Sequence, residues 1–141
     1  MNHATAIIDN RPFLRECMRR SIEFVLTTQV IPFSTISEME TVANEVDFSL
    51  VIFSSPGLVK EEIAKSFEIL ERVFPSVPAV FLSDSSDPDL VGAAIGSGAK
   101  GCIPVTMEFE IALAAARIVM AGGTYVPAEY IGRLCGTDFE T

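Results

Sequence analysis

Positive charge is what this sequence has least of. Ten lysines and arginines stand against nineteen aspartates and glutamates, a formal net charge of −9. A surface so poor in cations releases few counterions, which opposes binding to phosphate backbones or anionic membranes. This chain alone is therefore not expected to grip nucleic acid. Histidine is nearly absent too. His3 is the only one, and about six residues at roughly 3.3 Å each separate it from Asp9 at the carboxyl end of the first apolar run. That places it near the edge opposite the run's carboxyl end and argues against a hydrolase triad. Cys17, Cys102 and Cys135 lie far apart with no CxxC or Cys/His pair, the pattern of three free thiols in a reducing cytoplasm. Long apolar runs are missing as well. Arg117 and the pair Gly122 and Gly123 interrupt "IALAAARIVMAGG", well short of the roughly 20 residues a membrane span needs. The start "MNHATAIID" has no charged segment followed by a long apolar one, so no secretion signal is visible.

What is present is a chain of 141 residues, 49% hydrophobic, enough to bury one sizeable core. "ATAII" runs continuously into Asp9, as a strand covered on both faces does, and Pro12 suits the first turn of a helix. Leu14, Met18, Ile22 and Val25 share one helical face. "TQVIPF" reads as an edge strand because of Pro32. Ser37 with Glu40 has the form of a capping box, which predicts a helix over 38–45. "SLVIF" is a third strand, followed by a helix with Val59, Ile63, Phe67, Leu70 and Phe74 on one stripe. "PAVFL" is a fourth, after which Asp87 caps a helix that runs to Gly98. "KGCI" is a fifth, and Thr106 is the expected cap of a last long helix ending at Gly122 and Gly123. A short helix over 128–134 and an acidic tail follow. Five strands alternating with helices predict a doubly wound five-stranded parallel sheet with helices on both faces. In such sheets a site lies beyond the carboxyl ends of the strands. That edge collects Asp9, Asn10, Ser54, Ser55, Ser83, Asp84 and Val105. The whole of 1–141 is expected to be one domain, with its core at about 4–122 and 123–141 an extension or the start of a linker.

Four stretches in order, "IIDNRPFLRE", "RVFPSVPAVFLS", "GSGAKGCIPVT" and "AARIVMAGGTYVP", make residues 4–134 resemble a response-regulator receiver domain of the NarL/FixJ (LuxR-type) subfamily. The resemblance implies the flavodoxin-like receiver fold and two-component signal transduction. It further implies two acidic residues after the first strand that hold magnesium, an acceptor aspartate after the third, a hydroxyl after the fourth and a lysine after the fifth. Here Asp9 is kept, Asn10 takes the second acidic place, Ser54 the acceptor place, Ser83 the hydroxyl place and Val105 the lysine place. Cys102 stands where an aromatic switch residue often sits. A serine hydroxyl without a base is a poor nucleophile, and loss of the lysine removes the cation that neutralises an added phosphoryl group. The expectation is a pseudo-receiver that works without phosphorylation, with no enzyme activity and no cofactor. Asp9 is the one residual candidate for a metal ligand.

Ser54 is expected to bond its own loop. Asp84, Asp87 and Asp89 are expected in structural use, and Val105 to relieve the former pocket of charge. The last helix is apolar around most of its circumference, which points to burial on more than one side. Leu113, Ala116, Val119 and Met120 are the candidate contacts of a homodimer. The expected role is a cytoplasmic regulatory and dimerisation module of a transcriptional regulator, touching DNA only through a C-terminal helix-turn-helix domain beyond this chain. The alternatives are a sensor binding a small ligand in the degenerate pocket, a stand-alone protein-interaction module, or a phosphoryl-accepting switch using Asp84.

Overall fold

A computed structural model describes residues 3–54, 56–85, 87–128 and 130–131. The elements alternate along the chain. They are β1 (His3–Ile8), α1 (Pro12–Leu26), β2 (Gln29–Phe33), α2 (Ile36–Glu40), β3 (Asp47–Ser54), α3 (Lys60–Val73), β4 (Ala79–Ser83), α4 (Pro88–Gly96), β5 (Gly101–Pro104) and α5 (Phe109–Met120). All five strands are parallel, in the order β2-β1-β3-β4-β5. This is the expected doubly wound sheet, and Pro32 does lie on an edge strand.

Alternation along the strands divides the core in two. Val51 and Phe53 point to the face covered by α2, α3 and α4, where Met39, Ile63, Phe67 and Leu70 are buried. Leu50 and Ile52 point to the face covered by α1 and α5, with Ile22, Leu113, Ala116 and Val119. Phe67 stands edge-on to both Phe53 and Phe81, at centroid distances of 5.3 and 5.9 Å, the arrangement that aromatic quadrupoles favour. Among the described residues no helix is long and apolar enough to cross a membrane.

Several boundaries differ from expectation. The capping box of α2 lies upstream of Ser37: Thr35 Oγ1 accepts from the Glu38 N–H at 3.2 Å, and Glu38 Oε1 accepts from the Ser34 N–H at 2.7 Å. This register brings Met39 fully into the core, and residues 41–45 continue as turns. Asp87 caps α4 as expected, accepting from the Asp89 N–H at 2.9 Å, but the helix ends at Gly96. Thr106 does not cap α5. A turn closed by Met107 N–H on Pro104 C=O at 3.0 Å intervenes, and Glu108 is the N-cap. Val59 precedes α3 and is exposed, and Leu14 is exposed as well. The core also extends past residue 122. Gly122, at φ +100°, turns the chain, and Tyr125 then pairs with β5, its C=O accepting from Cys102 N–H at 2.9 Å and its N–H donating to Lys100 C=O at 3.0 Å. This covers the sheet's second edge. Gly101 permits it, since a Cβ there would lie 3.2 Å from Tyr125 O and 3.0 Å from Val119 Cγ2. Tyr130 is buried as well. The expected helix over 128–134 falls mostly outside the described residues, as does Cys135.

Among the described residues one buried side-chain polar atom is unpaired. Thr5 in β1 is fully buried and its Oγ1 has no hydrogen-bond partner. Burial of an unsatisfied hydroxyl costs about 1–3 kcal/mol. Thr5→Val keeps the shape and removes that cost, so it is expected to raise the unfolding free energy by about 1 kcal/mol in urea denaturation. A loss of stability would show that the hydroxyl has a partner.

Candidate functional site

The carboxyl ends of β1, β3 and β4 converge on one side chain that the sequence reading did not single out, Arg11. Asp9 leaves β1 with its N–H still donating to Phe33 C=O at 3.1 Å. Its Oδ1 accepts the Arg11 backbone N–H at 2.8 Å, closing an Asx turn two residues long. That turn, with Pro12 at the start of α1, folds the Arg11 side chain back over the sheet. Its Nε donates to Asp9 Oδ1 at 3.1 Å, and its Nη2 to Asp9 Oδ2 at 3.0 Å and to Ser54 Oγ at 3.1 Å. Its Nη1 donates to Asp84 Oδ2 at 3.1 Å. Four donations of the guanidinium thus tie three strand ends together, a use of the planar fork that an ammonium cannot copy. Arg15, one turn along α1, donates to Asp9 C=O at 2.8 Å and to Ser34 Oγ at 2.9 Å.

Asp9 is fully buried. Burial alone pushes its carboxyl up, but the Arg11 side-chain and backbone hydrogen bonds, the Arg11 charge and the Ser54 hydroxyl together outweigh it. The net pKa lies below the ordinary carboxylate value, and Asp9 is ionised at neutral pH. The bond to Asp9 likewise raises the Arg11 pKa against the opposing effect of burial.

The structure brings Asp9, Ser54 and Asp84 together and sets the other expected residues apart. Ser54 is held by Arg11, across from β1, and this corrects the expectation of a serine bonded to its own loop. Ser83 does have that local habit, donating to Ser85 C=O at 2.8 Å and accepting from Ser85 N–H at 3.2 Å. Asn10 is exposed. Val105 is half exposed and lines an apolar cleft of about 370 Å³ between α1 and α5. Its expected effect of freeing the pocket of charge is therefore corrected: a cation is present and comes from Arg11. Cys102 is fully buried, and burial pushes its thiol up to about 12, which makes it unreactive. The signal that could have revealed Arg11 is "DNRP", an arginine two residues after a strand-end aspartate and just before a helix-starting proline.

The expected dimer contacts on α5 are also corrected. Leu113, Ala116 and Val119 are buried in the chain's own core and Met120 packs against it. A helix apolar on nearly all sides gives periodicity no phase to report, and the face turned outward is Ile111, Ala114, Arg117 and Ile118.

A divalent cation, which the receiver fold implies, does not fit this edge. Among the described residues Asp9 and Asp84 are the carboxylates there, and the Arg11 guanidinium lies between them. Among the described residues no group of three metal-binding side chains comes together. A small-molecule pocket is not built there either. The hollow beside Ser83 and Asp84 holds about 170 Å³, below the roughly 300–1,000 Å³ usual for ligand pockets.

The parallel sheet of order 2-1-3-4-5, with a polar site at the carboxyl ends of β1, β3 and β4, defines a receiver fold. Solved structures agree. The isolated receiver domain of RcsB from Salmonella enterica serovar Typhimurium, solved in the presence of the phosphomimetic BeF3−, is 17% identical at a TM-score of 0.76, covering 95% of this chain and 99% of that one. A LuxR family DNA-binding response regulator from Silicibacter pomeroyi is 18% identical at a TM-score of 0.73, over 92% and 99%. A response regulator from Thermotoga maritima is 17% identical at a TM-score of 0.74, over 86% and 99%. No protein-family model matches the chain, and no curated protein matches it in sequence. At these identities the likeness establishes the fold.

Proposed function

We propose that this chain is a phosphorylation-independent receiver domain of the NarL/FixJ type, a cytoplasmic interaction and dimerisation module of a transcriptional response regulator. The carrying observation is the Arg11 guanidinium bound to Asp9, Ser54 and Asp84. Phosphoryl transfer to a receiver needs an ionised acceptor carboxylate and room for a hard cation beside it. Here the acceptor place is a buried serine whose hydroxyl accepts from a cation. The carboxylate beside it, Asp9, is itself held by Arg11, and His3 lies at the opposite end of β1, with its Nδ1 3.4 Å from Asp47 Oδ2. The same guanidinium fills the space a sensor would leave open, which favours a scaffold over a ligand-binding domain. Asp84 as an alternative acceptor is disfavoured by its own bond to Arg11. The domain is no enzyme in this reading. With a net charge of −9, contact with DNA belongs to a helix-turn-helix domain elsewhere in the regulator, as expected for a partner of phosphate backbones.

The test is incubation with magnesium and acetyl phosphate, followed by intact mass and acid-quenched peptide mapping. An unchanged mass is expected. A phosphoryl adduct on Asp9, Asp84 or Ser54 would refute the proposal.

A further inference from the structure

Helices α1 and α5 cover the same face of the sheet without closing over it. On α5 the gap is lined by the small residues Ala112 and Ala116. Among the described residues the side-chain hydrogen bond that joins the two helices, Arg117 Nη2 to Val25 C=O, is long at 3.4 Å. The result is the cleft of about 370 Å³ that Val105 lines. Ile52, Leu82 and Ile103, from three neighbouring strands, line it from the sheet side. The cleft shares no residue with the Arg11 clasp.

Size decides what can enter. Two turns of helix, about 10 Å across and about 11 Å long, fill roughly 850 Å³, more than twice the cleft, so a partner helix cannot seat in it. An apolar cavity of about 150 Å³ holds one benzene ring. The cleft therefore matches a molecule of about two rings, and its volume lies within the roughly 300–1,000 Å³ usual for ligand sites. Charge narrows the class. Among the described residues that line it none is charged, so an entering ion would lose its hydration with nothing to replace it. An anion would also meet a chain of net charge −9. Met18 and Met107 line the cleft, and thioethers adapt in shape and favour aromatic rings. The rim adds one polar group. Ser21 is exposed there, and among the described residues its hydroxyl bonds no protein group, whereas Ser66 on α3 bonds back to Glu62 C=O at 2.9 Å.

We infer that this cleft is a binding site for a neutral aromatic molecule of about two fused rings bearing one hydroxyl or carbonyl group. The rings lie on Ile52, Leu82 and Ile103 between α1 and α5, and the polar group meets Ser21 at the rim. A ligand held there bridges the two helices where the chain's own side chains leave a gap, so it stabilises the fold as its occupancy rises.

The experiment titrates the full chain with 2-naphthol and follows amide NMR shifts and the thermal midpoint. Saturable one-to-one binding with a Kd below about 1 mM is expected, with shifts clustered at Ser21, Val105 and Ala112 and a midpoint that rises with 2-naphthol concentration. The 2-naphthoate anion, the same ring system carrying a charge, is expected to bind weaker by about ten-fold or more. Ala112→Phe fills the cleft from a half-buried position on α5. It is expected to weaken 2-naphthol by about ten-fold or more with the circular dichroism spectrum unchanged. Ser21→Ala, at an exposed position and so harmless to the fold, is expected to weaken 2-naphthol a few-fold and to leave 2-methylnaphthalene unaffected. Shifts that do not saturate, equal binding of 2-naphthol and 2-naphthoate, or binding indifferent to both substitutions would each overturn the site.

Discussion

Arg11→Ala is expected to lower the unfolding free energy by about 3 kcal/mol, because it strands a fully buried carboxylate without its cation. The loss is specific to charge and geometry. Arg11→Lys is expected to recover only part of it, since a single ammonium cannot serve Asp9, Ser54 and Asp84 from one plane. Asp9→Asn in the Arg11→Ala background is expected to recover most of it, since removing both partners leaves no unpaired charge. Urea denaturation of the parent, the single variants Arg11→Ala and Asp9→Asn and the double variant reads the coupling directly. If Arg11→Ala proved neutral, the guanidinium would be a surface group of little consequence and not the keystone of the edge.

Acid should release the same clasp. The Asp9 pKa is lower in the folded chain than in the unfolded one. Its contribution is therefore fully present above the ordinary carboxylate range and fades as pH falls below it, through the folded pKa. A loss of stability is therefore expected across the window below about pH 4. Stability measured against pH should show this loss in the parent, and a flatter acid limb in Asp9→Asn. Equal acid limbs would mean that Asp9 titrates alike in both states.

Much of the fold was legible because its signals are local. Continuous apolar runs gave the buried strands, Pro32 gave the edge, and Asp87 with Pro88 gave the start of α4. The site was legible only in part. Asp9, Ser54 and Ser83 were placed by their positions at strand ends, but the bond from Arg11 to Ser54 spans 43 residues of sequence and that to Asp84 spans 73. No periodicity reports a contact formed only when three strands align. The faces of α5 were assigned the wrong way round for a different reason: Ala112 to Ala116 are apolar on every side, so burial is decided by the sheet's position and not by pattern. On α1 the obstacle was reversed, since Phe13 and Phe24 carry the chemistry of core residues yet face outward.

The central claim is that the receiver edge is filled from within and neither takes nor signals a phosphoryl group. An amide NMR titration with magnesium, then with beryllofluoride, tests it most directly. The account predicts no shifts beyond those of weak surface ion binding, and unchanged resonances at Asp9, Arg11, Ser54 and Ser83. Saturable shifts clustered at those residues would mean that Arg11 yields the edge to a cation and a phosphoryl mimic, and would contradict it.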